Sequence, residues 1–236
     1  MRIISWNMNR RLGSWNYLID VLNPDIALLQ EASPIKDNEK KILGRVTKTI
    51  VKKNLNNLIY SSGYPIEKLN MTTDGGIGVN VSRIRRKDYG YIYAISIYGN
   101  LDFWKTLEIN LLGVISLYVQ TLRSLYSADH IVLAGDFNMD RRMDDNPTKT
   151  KFSKAGERRH NAFFDSIKSI GFEDCVEKYY PEFTRTHRHS RSKFPWQIDH
   201  MFVTKGLYNK LSSLLVLEDS EVVKRSDHNP IIADFT

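Results

Sequence analysis

The stretch His130-Ile-Val-Leu-Ala-Gly-Asp-Phe-Asn138 bears on fold and chemistry at once. From His130 to Ala134 it is a short apolar run, the pattern of a strand buried on both faces. It breaks at Gly135 and delivers Asp136 and Asn138 at the strand's end. Immediately upstream, Leu107 to Tyr126 repeats apolar residues at helical spacing over several turns. A helix that leads into a buried strand predicts a layered α/β architecture.

The same grammar recurs outward in both directions. Arg2 to Met8 reads as an opening strand, and Ser14 as the cap of a helix over Trp15 to Leu22 that stops at Asn23-Pro24. Asp25 to Gln30 is a second buried-type strand. The Lys- and Asn-rich region from Ser33 to Lys68 is read with a helical middle, Asp74-Gly75-Gly76 as a turn, and Ile77 to Val81 and Tyr89 to Tyr98 as paired strands. Arg158 to Ile170 predicts a helix capped by Gly171, followed by a loop up to Trp196. Ile198 to Thr204, Ser213 to Glu218 and Ile231 to Phe235 close the series as strands. No repeat, low-complexity tract or linker interrupts it, so residues 1–236 are read as one domain.

Composition narrows the classes. The chain has 236 residues, 42% hydrophobic, enough for a sizeable core. Its net charge of +7 favours a polyanionic partner, nucleic acid or anionic lipid. The single cysteine, Cys175, excludes an internal disulfide framework and a thiolate-rich zinc site. An N-terminus that turns polar early, and no apolar run of membrane-spanning length, predict a cytoplasmic protein without a membrane partner.

Polar residues fall where the apolar strands end. Asn7 ends the first, Glu31 the second, Asp136 and Asn138 follow the third, Asp199 opens another, and Asp227-His228 precedes the last. Such groups converge at one sheet edge, where loops hold ligands over a rigid scaffold. A hard cation such as Mg²⁺ takes one or two protein carboxylates beside a substrate phosphate, which makes Glu31 the first candidate ligand, with Asp227 and Asp199 adding direct or water-mediated contacts. Phosphodiester hydrolysis further needs an oriented water, suited to Asp136, and neutral donors to phosphate oxygens, suited to Asn7 and Asn138. His228, held by Asp199, would be a cationic donor or a proton-transfer group. Each alone also fits an ordinary turn or cap. The joint pattern is what points to chemistry.

The blocks Ile4-Ser-Trp-Asn7, Leu29-Gln-Glu31, Gly135-Asp-Phe-Asn138, Gln197-Ile-Asp-His200 and Ser226-Asp-His-Asn-Pro230 resemble, in order, the motifs of the endonuclease/exonuclease/phosphatase superfamily. The resemblance implies a four-layer α/β sandwich of two packed mixed sheets flanked by helices. It implies Glu31 as metal ligand, Mg²⁺ as the ion with Mn²⁺ as substitute, Asn7 and Asn138 as organisers, Asp136 on the water, and Asp199 paired with His228 beside Asp227. Tyr98 resembles a tyrosine that donates to the scissile phosphate. The exonuclease III branch usually has an aspartate two positions after the first asparagine. Here that metal-side position is Asn9.

Members of the superfamily act on DNA, RNA, inositol phosphates and sphingomyelin, so local sequence must choose. Arg185, His187, Arg188, His189, Arg191 and Lys193, interleaved with Phe183, Phe194 and Trp196, form a basic and aromatic loop before Asp199. Arg141 and Arg142 begin a second basic stretch. Cations track a phosphate backbone while aromatics stack on bases. The expectation is a monomeric DNA endonuclease, with abasic or nicked sites as candidate targets; the alternatives are a ribonuclease and a phosphatase or phospholipase of inositol phosphates or sphingomyelin. His187 and His189 also raise zinc, weakly, because no third ligand lies nearby in sequence.

Overall fold

The computed structural model describes residues 1–11, 13–33, 45–52, 55–71, 78–99, 107–143, 159–188 and 194–236. Among the described residues, twelve strands form two six-stranded mixed sheets. The first contains β1 (Arg2–Asn7), β2 (Ile26–Gln30), β3 (Val46–Lys52), β4 (Leu55–Ser61), β11 (Leu211–Val216) and β12 (Ile231–Phe235), in the order β11-β12-β1-β2-β4-β3. The second contains β5 (Ile66–Lys68), β6 (Gly78–Arg86), β7 (Gly90–Tyr98), β8 (Ile131–Asp136), β9 (Phe172–Asp174) and β10 (Asp199–Thr204), in the order β5-β6-β7-β8-β10-β9. Helices α1 (Ser14–Asn16), α2 (Leu107–Tyr126), α3 (Arg159–Ser169), α4 (Cys175–Tyr179), α5 (Lys205–Tyr208) and α6 (Ser220–Arg225), with π-helical turns over Tyr17–Leu22 and a 3-10 turn over Arg141–Met143, complete the described elements.

Successive strand residues point to opposite faces, and the apolar runs use both. Ile3, Leu28, Val132 and Met201 fill the space between the sheets, whereas Ile4 and Leu29 face outward to Trp15, Leu18 and Val222. Leu133 and Phe202 face the other way, to Leu111, Ile115 and Phe164. Three cores therefore separate four layers, as a buried strand with no polar alternation requires. Next to the apolar middle lies a polar rung: Ser96 Oγ accepts from Gln30 Nε2 (2.9 Å) and donates to Asn57 Oδ1 (2.5 Å), while Asn57 Nδ2 donates to the carbonyls of Gly78 (2.6 Å) and Ser96 (2.8 Å).

Each sheet has a parallel pair, β1 with β2 and β7 with β8, whose C-terminal ends lie side by side. Gly135 makes the second pair possible: it sits at φ 147°, and a Cβ there would run into the Ile97 carbonyl.

Most expected strands and the helix Leu107–Tyr126 form as read. Where it is described, the Lys- and Asn-rich region is not helical but makes β3 and β4, with Leu58, Ile59 and Tyr60 buried. Ser14 does not cap the first helix. Gly13 occupies that position in left-handed conformation, and the Ser14 hydroxyl donates to Arg11 O (3.0 Å); the helix continues as π-helical turns over Tyr17–Leu22. The loop expected after Gly171 contains β9 and α4. The turn at Asp74-Gly75-Gly76 lies outside the described residues. Among the described residues no helix is long and apolar enough to cross a membrane.

Candidate active site

Register builds the site. Tyr98 pairs with Asp136 across β7 and β8, and Asp136 pairs with Asp199 across β8 and β10, so one rung presents three functional side chains. In the other sheet Asn7 pairs with Gln30, which places Glu31 one residue beyond the end of β2. Asn7 Nδ2 donates to Asp136 Oδ2 (3.0 Å), tying the sheets together at this edge.

Asp136 is 2% exposed. Besides Asn7, its carboxylate accepts from the Asn138 backbone N–H at Oδ1 (2.9 Å). Asn138 Nδ2 in turn donates to Gly99 O (2.7 Å), which holds the amide in place. Burial raises the Asp136 pKa to about 7, with Asp199 adding repulsion, while His228 and the hydrogen bonds pull the other way. Such a carboxylate can exchange a proton near neutrality.

His228 Nδ1 meets Asp199 Oδ2 at 2.9 Å and Oδ1 at 3.2 Å. Burial disfavours its cation, yet Asp199, Asp136 and Asp227 outweigh burial and raise the pKa to about 9. The imidazole is thus a cation at neutral pH, held by a carboxylate that fixes its orientation. Trp6 Nε1 donates to His228 O (3.1 Å), and Ser226 Oγ, which donates to Asn7 O (2.7 Å), accepts the His228 N–H (3.0 Å).

On the metal side, Tyr98 OH donates to Glu31 Oε1 (2.9 Å) and Arg10 Nε lies 3.2 Å from Oε2. Burial and the neighbouring Glu31 and Asp136 carboxylates raise the Tyr98 pKa, so it remains a donor. Asn9 Nδ2 donates to Asp227 Oδ1 (2.8 Å), and Asn9 N to Asn7 Oδ1 (3.0 Å). Asp227, despite partial burial, is pulled down to about 2 by His187 and His228. Asn9, Arg10, Glu31 and Asn138 are all non-glycine residues at positive φ, a concentration of local strain at this edge. The oxygen donors of Glu31 and Asp227, with a guanidinium already drawn to Glu31, fit a hard divalent cation.

The fold thus brings together Asn7, Asn9, Glu31, Tyr98, Asp136, Asn138, Asp199, Asp227 and His228. His187 joins them: its ring stacks on His228 at 4.4 Å between centroids, and Nε2 lies 3.8 Å from Asp227 Oδ2. The described basic residues are engaged within the protein. Arg185 pairs with Glu218; Arg188 donates to Asn229 and to Ser226 O (2.6 Å); Arg141 pairs with Asp165 (3.0 Å). Arg142 is held by buried Asp140 (2.6 Å) and stacks over Phe183 (3.8 Å) and Phe194 (4.8 Å). Trp196 bridges the His187 backbone and packs on Phe194, ring centroids 4.5 Å apart. His189, Arg191 and Lys193 lie outside the described residues. Arg10 and Thr186 were missed in the sequence: Thr186 Oγ1 accepts the N–H groups of Ile198 (3.0 Å) and Asp199 (3.1 Å), positioning Asp199. No motif spacing marks either.

A carboxylate able to exchange its proton, opposite a carboxylate-held imidazolium and at the edge of a two-sheet sandwich, suits a hydrolase acting on phosphoester bonds. Residues 4–228 match the Endonuclease/Exonuclease/phosphatase family, and the chain belongs to it. Among solved structures, a 3′ phosphatase NExo from Neisseria bound to product DNA hairpin superposes with TM-score 0.75 at 21% identity, covering 100% of this chain and 99% of that one. The 3′-5′ exonuclease NExo from Neisseria meningitidis gives TM-score 0.72 at 22% identity with 100% and 99% coverage. An AP endonuclease from Archaeoglobus fulgidus gives 0.70 at 19%, again covering 100% and 99%. A comparison with curated protein sequences finds no match.

Proposed function

We propose that the protein is a divalent-metal-dependent phosphodiesterase that cleaves DNA, residues 1–236 acting as one catalytic domain. The observation that carries this reading is the Asp136–Asn7–Asn138 cluster beside the Asp199–His228 pair. Asp136 orients a water and takes its proton as the water oxygen attacks phosphorus; the bond from phosphorus to the leaving ester oxygen breaks in the same displacement, and that oxygen takes up a proton from solvent. His228, as a cation, and the Asn138 amide donate to the non-bridging oxygens, whose charge grows in the transition state. Tyr98 donates to the phosphate once it releases Glu31. Glu31 and Asp227 would hold Mg²⁺, which supplies Lewis-acid charge at the phosphate when bound; Asn9 stands on that side and orients Asp227.

DNA as substrate is supported by the net charge of +7, by the Phe194–Trp196 pair beside His187, and by likeness to a fold solved with DNA. The test is one panel: supercoiled plasmid, abasic duplex, nicked duplex, single-stranded DNA, RNA and an inositol phosphate, each with Mg²⁺ or chelator. Cleavage of a DNA substrate only with metal is expected, and its loss by at least about 100-fold in Glu31→Gln and His228→Ala. Intact DNA with hydrolysed inositol phosphate or RNA would replace the substrate. Full activity in both variants would displace the site.

A further inference from the structure

The chain carries a second donor set of different chemistry at the rim of the site. Ligand atoms of His187, Asp227 and His228 all lie within 4.8 Å of one another. Donor atoms of a tetrahedral zinc, each at about 2.0–2.1 Å, stand ~3.4 Å apart, so the 3.8 Å between His187 Nε2 and Asp227 Oδ2 is within about half an ångström of that spacing. The remaining pairs, within 4.8 Å, close to that spacing by side-chain movements of up to about 1.4 Å. His187 and His228 are stacked with their planes 34° apart, which lets both rings approach a common ion from one side. Asp199 holds His228 at Nδ1, so a metal binds at Nε2 by displacing its proton to solvent, in the carboxylate–histidine arrangement that orients and strengthens imidazole ligands.

Two imidazoles and one carboxylate select differently from the oxygen donors of Glu31. Nitrogen ligands suit Zn²⁺ and its first-row neighbours, whereas Mg²⁺ demands oxygen. We propose that His187, His228 and Asp227 form a transition-metal site, and that Zn²⁺ bound there withdraws His228 from the phosphate and Asp227 from Mg²⁺, and so inhibits Mg²⁺-driven hydrolysis. Zinc coordination itself stands independently of the substrate; its inhibitory effect rests on the roles given above to His228 and Asp227.

The binding half is tested without substrate. Co²⁺, titrated into metal-free protein, should give intense visible bands of a low-coordinate nitrogen site, displaced by Zn²⁺ and weakened at least tenfold in apparent affinity in His187→Gln. In the wild-type protein, ring NMR signals of His187 and His228 should move with Zn²⁺, while those of buried His200 stay fixed. For inhibition, hydrolysis of bis(p-nitrophenyl) phosphate in Mg²⁺ is followed with increasing Zn²⁺, each variant normalised to its own zinc-free rate. The half-inhibitory Zn²⁺ concentration should rise at least tenfold in His187→Gln. Identical Co²⁺ spectra in the two proteins, or unmoved His187 signals, would overturn the site. Zn²⁺ inhibition equal in both, or a rate that rises with Zn²⁺, would overturn its inhibitory role. Failure of the binding experiment leaves the proposed hydrolysis untouched, whereas failure of the substrate panel leaves zinc binding standing.

Discussion

At the scale of single residues, the Asp199–His228 pair makes the clearest demand on pH. His228 titrates at about 9 in the folded protein against 6.5 for a free side chain, so its contribution to stability is complete below about 6.5 and disappears as pH rises through 9. Asp136 works in the same direction: a carboxyl raised from 3.8 to about 7 loses its stabilising share as pH climbs between those values. Activity should therefore rise through about pH 7 as Asp136 ionises and fall above about pH 9 as His228 loses its proton. Asp199→Asn removes the largest contribution that raises the His228 pKa. Its alkaline limb should move at least one pH unit toward acid, read from initial rates; an unmoved limb would assign the limb to another group. The residues of this pair are legible because they stand at the ends of apolar strands. Arg10 was not: it follows β1 as one more basic loop residue, and only the folded turn brings it to Glu31. Nor did spacing place His187 beside Asp227, 40 positions on.

At the scale of elements, runs with one strong pattern were readable and mixed ones were not. Leu107–Tyr126 repeats apolar residues at helical spacing, and Ile26–Gln30 and Ile131–Asp136 are led by unbroken apolar runs. β3 and β4 do not, because Thr47, Asn56 and Asn57 interleave with Ile and Leu and mimic a solvated segment. Their polar residues are used inside: Asn57 is fully buried and donates to two carbonyls of the opposite sheet. Replacing it with an apolar side chain leaves those carbonyls and the Ser96 hydroxyl without that partner. Asn57→Leu should lower unfolding free energy by about 2 kcal/mol or more, measured by urea denaturation. A change under about 0.5 kcal/mol would mean that the rung is replaceable by packing. β9 and α4 escaped notice because each is at most five residues long.

At the scale of the whole molecule, charge sets how the substrate is held. The described arginines of the two basic stretches are tied to Glu218, Asn229, Asp165 and Asp140, so much of the local positive charge is already balanced. If a DNA backbone is bound, cations still release counterions, and the apparent KM should rise at least about tenfold between 50 and 200 mM salt. A small phosphate ester would show a far weaker dependence, so a flat KM would argue against an extended polyanion. Charge and motif order were visible in sequence. The internal use of the arginines was not, since a solvated cation and a clamped one are spelled alike.

The antiparallel pairing of β1 with β12 has a consequence for the chain as it is made. The strand finds β2 early, but residues 2–5 find their second hydrogen-bonded neighbour only when residues 231–234 exist, and Trp6 reaches His228 only shortly before. During translation the early strands wait, unpaired on one side, while more than two hundred residues are added. A nascent chain still short of β12 holds Asn7, Glu31 and Asp136 but lacks the strand that locks them. Hydrolytic competence therefore arrives late in synthesis, and fragments lacking the final strand should remain catalytically silent.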